Sequence, residues 1–156
     1  MVKQLYHIDS YLKEFEATIE NIISEGVVLD QTAFYPGGGG QPCDFGFLTS
    51  NGIDYKVDKV QYFEGTIIHK VVSEGLNIGD KILARIDWDR RYKLMRTHTA
   101  LHILCGVVWR DFSALVTGGN MEPLKARMDF ELESMSTDFA EIVEKKVNEE
   151  VFNDHK

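Results

Sequence analysis

Positive charge, cysteine and proline are all in short supply in this 156-residue chain. Lys and Arg number 17 against 25 Asp and Glu, a formal net charge of −8. That balance opposes unspecific association with a phosphate backbone or anionic lipid, so any nucleic-acid contact has to use a local basic patch, and DNA is not an expected partner. The two cysteines, Cys43 and Cys105, lie far apart with no Cys-x-x-Cys pairing, which excludes a disulfide-stapled miniprotein and reads as two free thiols. No apolar run approaches the roughly 20 residues of a membrane span, and the start, from Met1 to His7, lacks the apolar stretch of a signal peptide. The expectation is a cytoplasmic protein with no membrane partner. What is present is 44% hydrophobic residues, enough to build a core in one domain or in two small ones.

Glycine punctuates the first half. Glu25-Gly26, Gly37 to Gly40, Asn51-Gly52, Glu64-Gly65, Glu74-Gly75 and Ile78-Gly79 separate β-branched and aromatic stretches, an all-β rhythm. Asn51-Gly52 supplies the two positive φ angles of a type I′ hairpin between Phe45–Thr49 and Ile53–Val57. Further strands fit 17–24, 27–30, 65–72 and 81–87, about six in all, which could close into a small barrel. After Asp87-Trp88-Asp89 no glycine appears until Gly106, and Leu94, Leu101, Leu104, Val108 and Phe112 recur at helical spacing. One long, centrally buried helix is predicted there, capped by Asp87 or Asp89. Strands over 113–117 and 124–132 follow, then a capping box at Asp138-Phe139-Ala140-Glu141 and a helix to the end. The domains are therefore read as 1–87, all-β, and 88–156, α/β and incomplete. The fold class is α+β.

Three features carry chemistry. His98-Thr99-Ala100-Leu101-His102 puts two imidazoles on one helix face, their Cβ atoms about 5–6 Å apart. That spacing supplies two ligands to a tetrahedral Zn²⁺, or two core histidines bonded to backbone carbonyls. Thr99 stands where a zinc protease carries its Glu base, which disfavours that class. The run Phe34-Tyr35-Pro36-Gly37-Gly38-Gly39-Gly40-Gln41-Pro42 is either a mobile surface turn or a backbone surface for close ligand approach. It lacks the Lys-Ser/Thr of a P-loop and the spacing of a dinucleotide fingerprint. Arg85, Arg90, Arg91, Lys93 and Arg96 could receive phosphate, or could form a solvated face paired with Asp87 and Asp89.

Taken together these features resemble a known family. Asp30-x-Thr32-x-Phe34-Tyr35-Pro36-x-Gly38-Gly39-Gly40-Gln41-x-x-Asp44, Arg91 to Arg96, Thr97 to Leu104 with both histidines, Val116-Thr117-Gly118-Gly119 and Ala126 to Phe130 occur in the order and approximate spacing of the alanyl-tRNA editing family. That family comprises the editing region of alanyl-tRNA synthetase and its free-standing AlaX relatives. The match covers about residues 20–132. The resemblance implies a small translation-factor-like β-barrel joined to an editing domain of the threonyl/alanyl-tRNA synthetase type. It also implies zinc-dependent hydrolysis, in trans, of the ester of tRNA(Ala) mischarged with serine or glycine. His98 and His102 are then two zinc ligands, and Thr32, Gly38, Gly39, Gly40 and Gln41 border the site where the aminoacylated 3′ end enters. No catalytic residue is assigned.

One departure stands out. The family's remaining ligands come from a downstream Cys-x-x-x-His motif, whereas this sequence ends at His155-Lys156, and the chain is read as truncated before that motif. His155 is no substitute, because the residue four before it is Val151. Cys105 lies three residues after His102 but within Leu104-Cys105-Gly106-Val107-Val108, so it reads as core. Three readings remain: a zinc-dependent aminoacyl-tRNA deacylase, inactive as this chain alone; a non-catalytic tRNA-binding fragment; and a metal-free domain with both histidines in its core.

Overall fold

The computed structural model of the protein describes residues 2–132, Ser134 and 136–154, leaving His155 outside the described residues. The glycine-punctuated half forms β1 (Lys3–Gln4), β2 (Glu14–Ile23), β3 (Gly26–Leu29), β4 (Gln31–Thr32), β5 (Gly46–Ser50), β6 (Ile53–Val57), β7 (Lys59–Phe63), β8 (Thr66–Lys70) and β9 (Lys81–Ile86). A single turn of 3₁₀ helix covers Leu5–His7. The second half forms α1 (Trp88–Phe112), β10 (Val116–Glu122), β11 (Lys125–Phe130) and α2 (Phe139–Phe152). The chain divides into two compact units, Met1–Tyr92 and Lys93–Lys156, and each is described by itself.

In the first unit seven strands make one antiparallel sheet in the order β6-β5-β9-β2-β3-β8-β7, while β1 and β4 pair in parallel. Asn51 and Gly52 have φ of 50° and 78°, and they join β5 to β6 in the register that pairs Ser50 with Ile53. That is the type I′ hairpin their side chains favour. Inward residues alternate along β2 and β9, where Phe15, Ala17 and Ile19 meet Ile82, Ala84 and Ile86. Phe34, Leu48, Val57 and Ile67 complete this core. Each large side chain so buried contributes about 1.5–3 kcal/mol.

The expected closed barrel is not formed. Its two edge strands, β6 and β7, are consecutive with Asp58 alone between them. A single residue is too short for a hairpin turn, which takes at least two, and far shorter than a parallel crossover. Among the described residues the two edges are not paired with each other, so no closed barrel ladder is made; one residue cannot bridge the roughly 29 Å across a flat seven-stranded sheet, so the sheet curls to bring β6 and β7 end to end. Strand β7 lies outside the strands the sequence predicts, because nothing in Val57-Asp58-Lys59 signals a turn.

Helix α1 begins as anticipated. Asp87 Oδ1 accepts the Arg90 N–H at 3.1 Å and the Asp87 carbonyl accepts the Arg91 N–H at 3.0 Å, an N-cap that satisfies otherwise orphaned donors. It is not wrapped on all sides: only Arg91, Leu94, Thr97, Val107 and Val108 of its residues are buried. In the second unit, Val108, Ala114 and Val143 form a small core with Leu104, Phe112 and Phe139 against it. Strand β10 starts later than the predicted 113–117, because Ser113 sits at φ 54° and ends the helix rather than opening a strand. The capping box is not made either: Asp138 forms no side-chain cap, and its carboxylate accepts the Thr137 hydroxyl at 2.6 Å.

Candidate functional site

Gly37, Gly38, Gly39 and Gly40 all have positive φ, from 60° to 127°. Gly38 N–H donates to the Gln41 carbonyl at 3.0 Å and Gln41 N–H returns a bond to the Gly38 carbonyl at 3.1 Å. Gly39 and Gly40 are thus the two central residues of a tight reverse turn that L-residues adopt only under strain. The run is an ordered turn whose composition follows from its backbone. Tyr35 braces it, donating from its hydroxyl to the Gly38 carbonyl at 3.3 Å and accepting from Gln41 Nε2 at 3.5 Å. The Tyr6 ring meets Tyr35 edge-on at 5.6 Å, and burial raises the pKa of both phenols.

Below the turn its two arms are tied at a neck. Tyr35 N–H donates to Asp44 Oδ2 at 2.6 Å, and Asp44 N–H donates to the Tyr35 carbonyl at 3.0 Å. Asp44 and Arg91 are 3% and 5% exposed. Arg91 Nε donates to both Asp44 oxygens at 3.2 and 3.1 Å, and its Nη2 binds Asp44 Oδ2 and the Ala33 carbonyl. A charge pair enclosed in this way holds only because its donors and acceptors are matched. The start of α1 is thereby pinned to the foot of the glycine turn. Arg91 is accordingly an internal strut and not part of a solvated face.

Thr32 lies wholly inside the sheet. Its Oγ1 is 2.8 Å from His69 Nε2 and accepts the Phe34 N–H at 3.1 Å. His69 Nδ1 is 3.2 Å from the Val27 carbonyl, which can only accept, so Nδ1 carries the proton and Nε2 accepts from Thr32. This directed chain runs from Val27 through His69 and Thr32 to the residue that opens the glycine motif. Desolvation depresses the His69 pKa to about 4, keeping the ring neutral. The signal for His69 in the sequence is its place inside the apolar stretch Ile67-Ile68-His69-Lys70-Val71-Val72.

In the second unit, His98 and His102 aim their Nε2 atoms at each other, 3.1 Å apart, with ring centroids at 4.6 Å. Two nitrogens each about 2.0–2.1 Å from one tetrahedral ion stand about 3.3 Å apart, so the pair fits one edge of a zinc shell. They are not core histidines: His98 is half-buried and His102 exposed. Desolvation, then the neighbouring His102, lowers the His98 pKa, which favours the neutral, metal-competent ring. Thr97 fixes this turn of helix. Its hydroxyl donates to the Lys93 carbonyl at 2.9 Å and accepts the Leu124 N–H at 2.9 Å. Burial pushes the half-buried Cys105 thiol up. Among the described residues no group of three or more His, Cys, Asp or Glu is placed to hold a metal, and no helix is long and apolar enough to cross a membrane.

Residues 3–90 match the family described as tRNA synthetases class II (A). The chain is 47% identical over 140 residues to the alanyl-tRNA editing protein AlaX-M of Saccharolobus solfataricus, covering 88% of this chain and 59% of that one. It is 44% identical over 166 residues to the AlaX-M protein of Methanosarcina mazei, covering 99% and 65%. It is also 41% identical over 158 residues to the alanine–tRNA ligase of Pyrococcus abyssi, covering 99% of this chain and 17% of the ligase. The chain belongs to the alanyl-tRNA editing family of AlaX-type proteins. It spans about three fifths to two thirds of the length of these AlaX-M relatives.

Proposed function

We propose that this chain carries the zinc-binding helix and the acceptor-end turn of an enzyme that edits alanyl-tRNA in trans, hydrolysing the ester of tRNA(Ala) mischarged with serine or glycine. The observation that supports this most is the convergence of the His98 and His102 Nε2 atoms in a chain so similar to AlaX-M proteins. His98 and His102 would hold Zn²⁺ through those nitrogens. Bound there, the ion supplies a Lewis acid that orients or polarises the aminoacyl ester, or a water with pKa near 7. The chain's own residues do the rest. Thr97 sets the rotation of the helix turn that presents His98. Gly38, Gly39, Gly40 and Gln41 form a substrate-binding turn in which the three glycines, lacking side chains, leave backbone open to the aminoacylated 3′ end. Thr32 acts from beneath it, because its hydroxyl is committed to His69 and Phe34.

Zinc titration followed by calorimetry tests the metal assignment. Two protein ligands leave a tetrahedral shell half filled, whereas catalytic sites usually take three, so binding is expected at micromolar or weaker affinity and is abolished by His98→Ala or His102→Ala. Nanomolar binding, or binding that survives both substitutions, would contradict it. One observation favours a second reading, a tRNA-binding module with no turnover of its own: no third donor joins the pair among the described residues. Under that reading the chain binds tRNA but takes up no zinc at His98 and His102.

A further inference from the structure

The structure sorts the three arginines of the first unit by partner. Arg85 is bound to Asp54 at 2.7 Å, and Arg91 is buried against Asp44. The Arg90 guanidinium has no carboxylate partner among the described residues. Its guanidinium lies over the Phe45 ring, 4.0 Å from the centroid, and its Nη2 donates to the Cys43 carbonyl at 3.3 Å. Cys43 and Phe45 flank Asp44, so these two contacts hold the guanidinium at the neck of the glycine turn. Its Nε is enclosed without a partner, an unfavourable state for a donor. Nη1 makes no hydrogen bond among the described residues. A guanidinium held over a ring, with no carboxylate bonded to it among the described residues and Nη1 unspent, is pre-organised for an anion.

We propose that Arg90 binds one phosphodiester of the single-stranded 3′ end of tRNA at the neck of the glycine turn. The inference rests on the editing reading above, which brings that end to Gly38–Gln41. The planar guanidinium suits a phosphate's paired oxygens better than an ammonium does. Asp87 and Asp89 sit on the same helical turn, so the local field is mixed. This favours one tethered phosphate over the broad electrostatic adhesion of a duplex.

The test compares binding of uncharged tRNA(Ala), and of the same tRNA lacking its single-stranded 3′ end, across about 50 to 200 mM salt. Wild type, Arg90→Met, Arg90→Gln and Arg90→Lys are measured. Arg90→Met covers Phe45 without charge, and Arg90→Gln is a second uncharged variant should the first fail to fold. Either is expected to weaken binding of intact tRNA about tenfold and to flatten the slope of log K against log salt by about 0.7, the value for one single-strand phosphate. Arg90→Lys should restore the slope. On shortened tRNA, wild type and uncharged variants should bind alike. An unchanged slope in a folded uncharged variant, or equal losses on both tRNAs, would overturn the proposal while leaving the editing reading intact. If wild type bound no tRNA at all, the editing reading would fall, and this contact with it.

Discussion

Replacing Asp44 with Ala removes the acceptor for the Tyr35 N–H and for the Nε and Nη2 donors of Arg91. Arg91, 5% exposed, is left with the carbonyls of Ala33 and Ser10. Removing one partner of a buried ion pair costs about 3–5 kcal/mol, and an orphaned backbone donor about 1–3 kcal/mol more if water cannot reach it. A loss of about 4 kcal/mol is expected, a large share of the roughly 5–15 kcal/mol that stabilises a typical domain. Urea unfolding followed by Trp88 fluorescence in a Trp109→Phe background reads the first unit alone. The double variant Asp44→Leu/Arg91→Met should recover much of the loss, since it leaves no charge buried without a partner. A loss below about 1 kcal/mol for Asp44→Ala, the range of an exposed pair, would refute the strut, as would a double variant no more stable than the single.

His69 makes stability depend on pH. Its folded pKa of about 4 lies below the unfolded value of about 6.5, so its contribution is intact above pH 6.5. It is lost as pH falls towards 4, where the unfolded chain takes up a proton that the folded state refuses. Up to about 3 kcal/mol should disappear across that window, and the difference between wild type and His69→Phe in urea midpoints at pH 7 and pH 5 measures it. A constant difference would show that the ring is not held neutral. Gly39→Val places a β-branched residue at φ 60° and should destabilise the turn by about 1–2 kcal/mol. Since a Cβ there meets nothing within 4 Å, Gly39→Asn, which tolerates that backbone, should be nearly neutral in the same unfolding assay.

What was readable in the sequence was local. Asn51-Gly52 carries its turn in its own φ preferences, Asp87 caps the helix three residues ahead of its partner, and the four-residue spacing of His98 and His102 alone sets one helix face. The rest depended on pairings distant in sequence. Asp44 and Arg91 lie 47 positions apart, and neither marks itself as buried, because charged residues ordinarily face water. That β6 and β7 stand at opposite ends of the sheet order, joined through Asp58 alone, depends on strand pairings that no local signal carries. Thr32 looked available to substrate in the motif, yet its hydroxyl belongs to a histidine 37 positions away.

The central claim is tested most directly by joining this chain to the part of the Saccharolobus solfataricus AlaX-M protein that it does not cover and measuring release of amino acid from Ser-tRNA(Ala) and Ala-tRNA(Ala). The account predicts zinc-dependent hydrolysis of Ser-tRNA(Ala), with Ala-tRNA(Ala) spared, and its loss on His98→Ala or His102→Ala with Gln41→Ala impairing turnover while zinc content stays normal. Hydrolysis that persists without both histidines, or a folded, zinc-loaded chimera that leaves Ser-tRNA(Ala) intact, would contradict it.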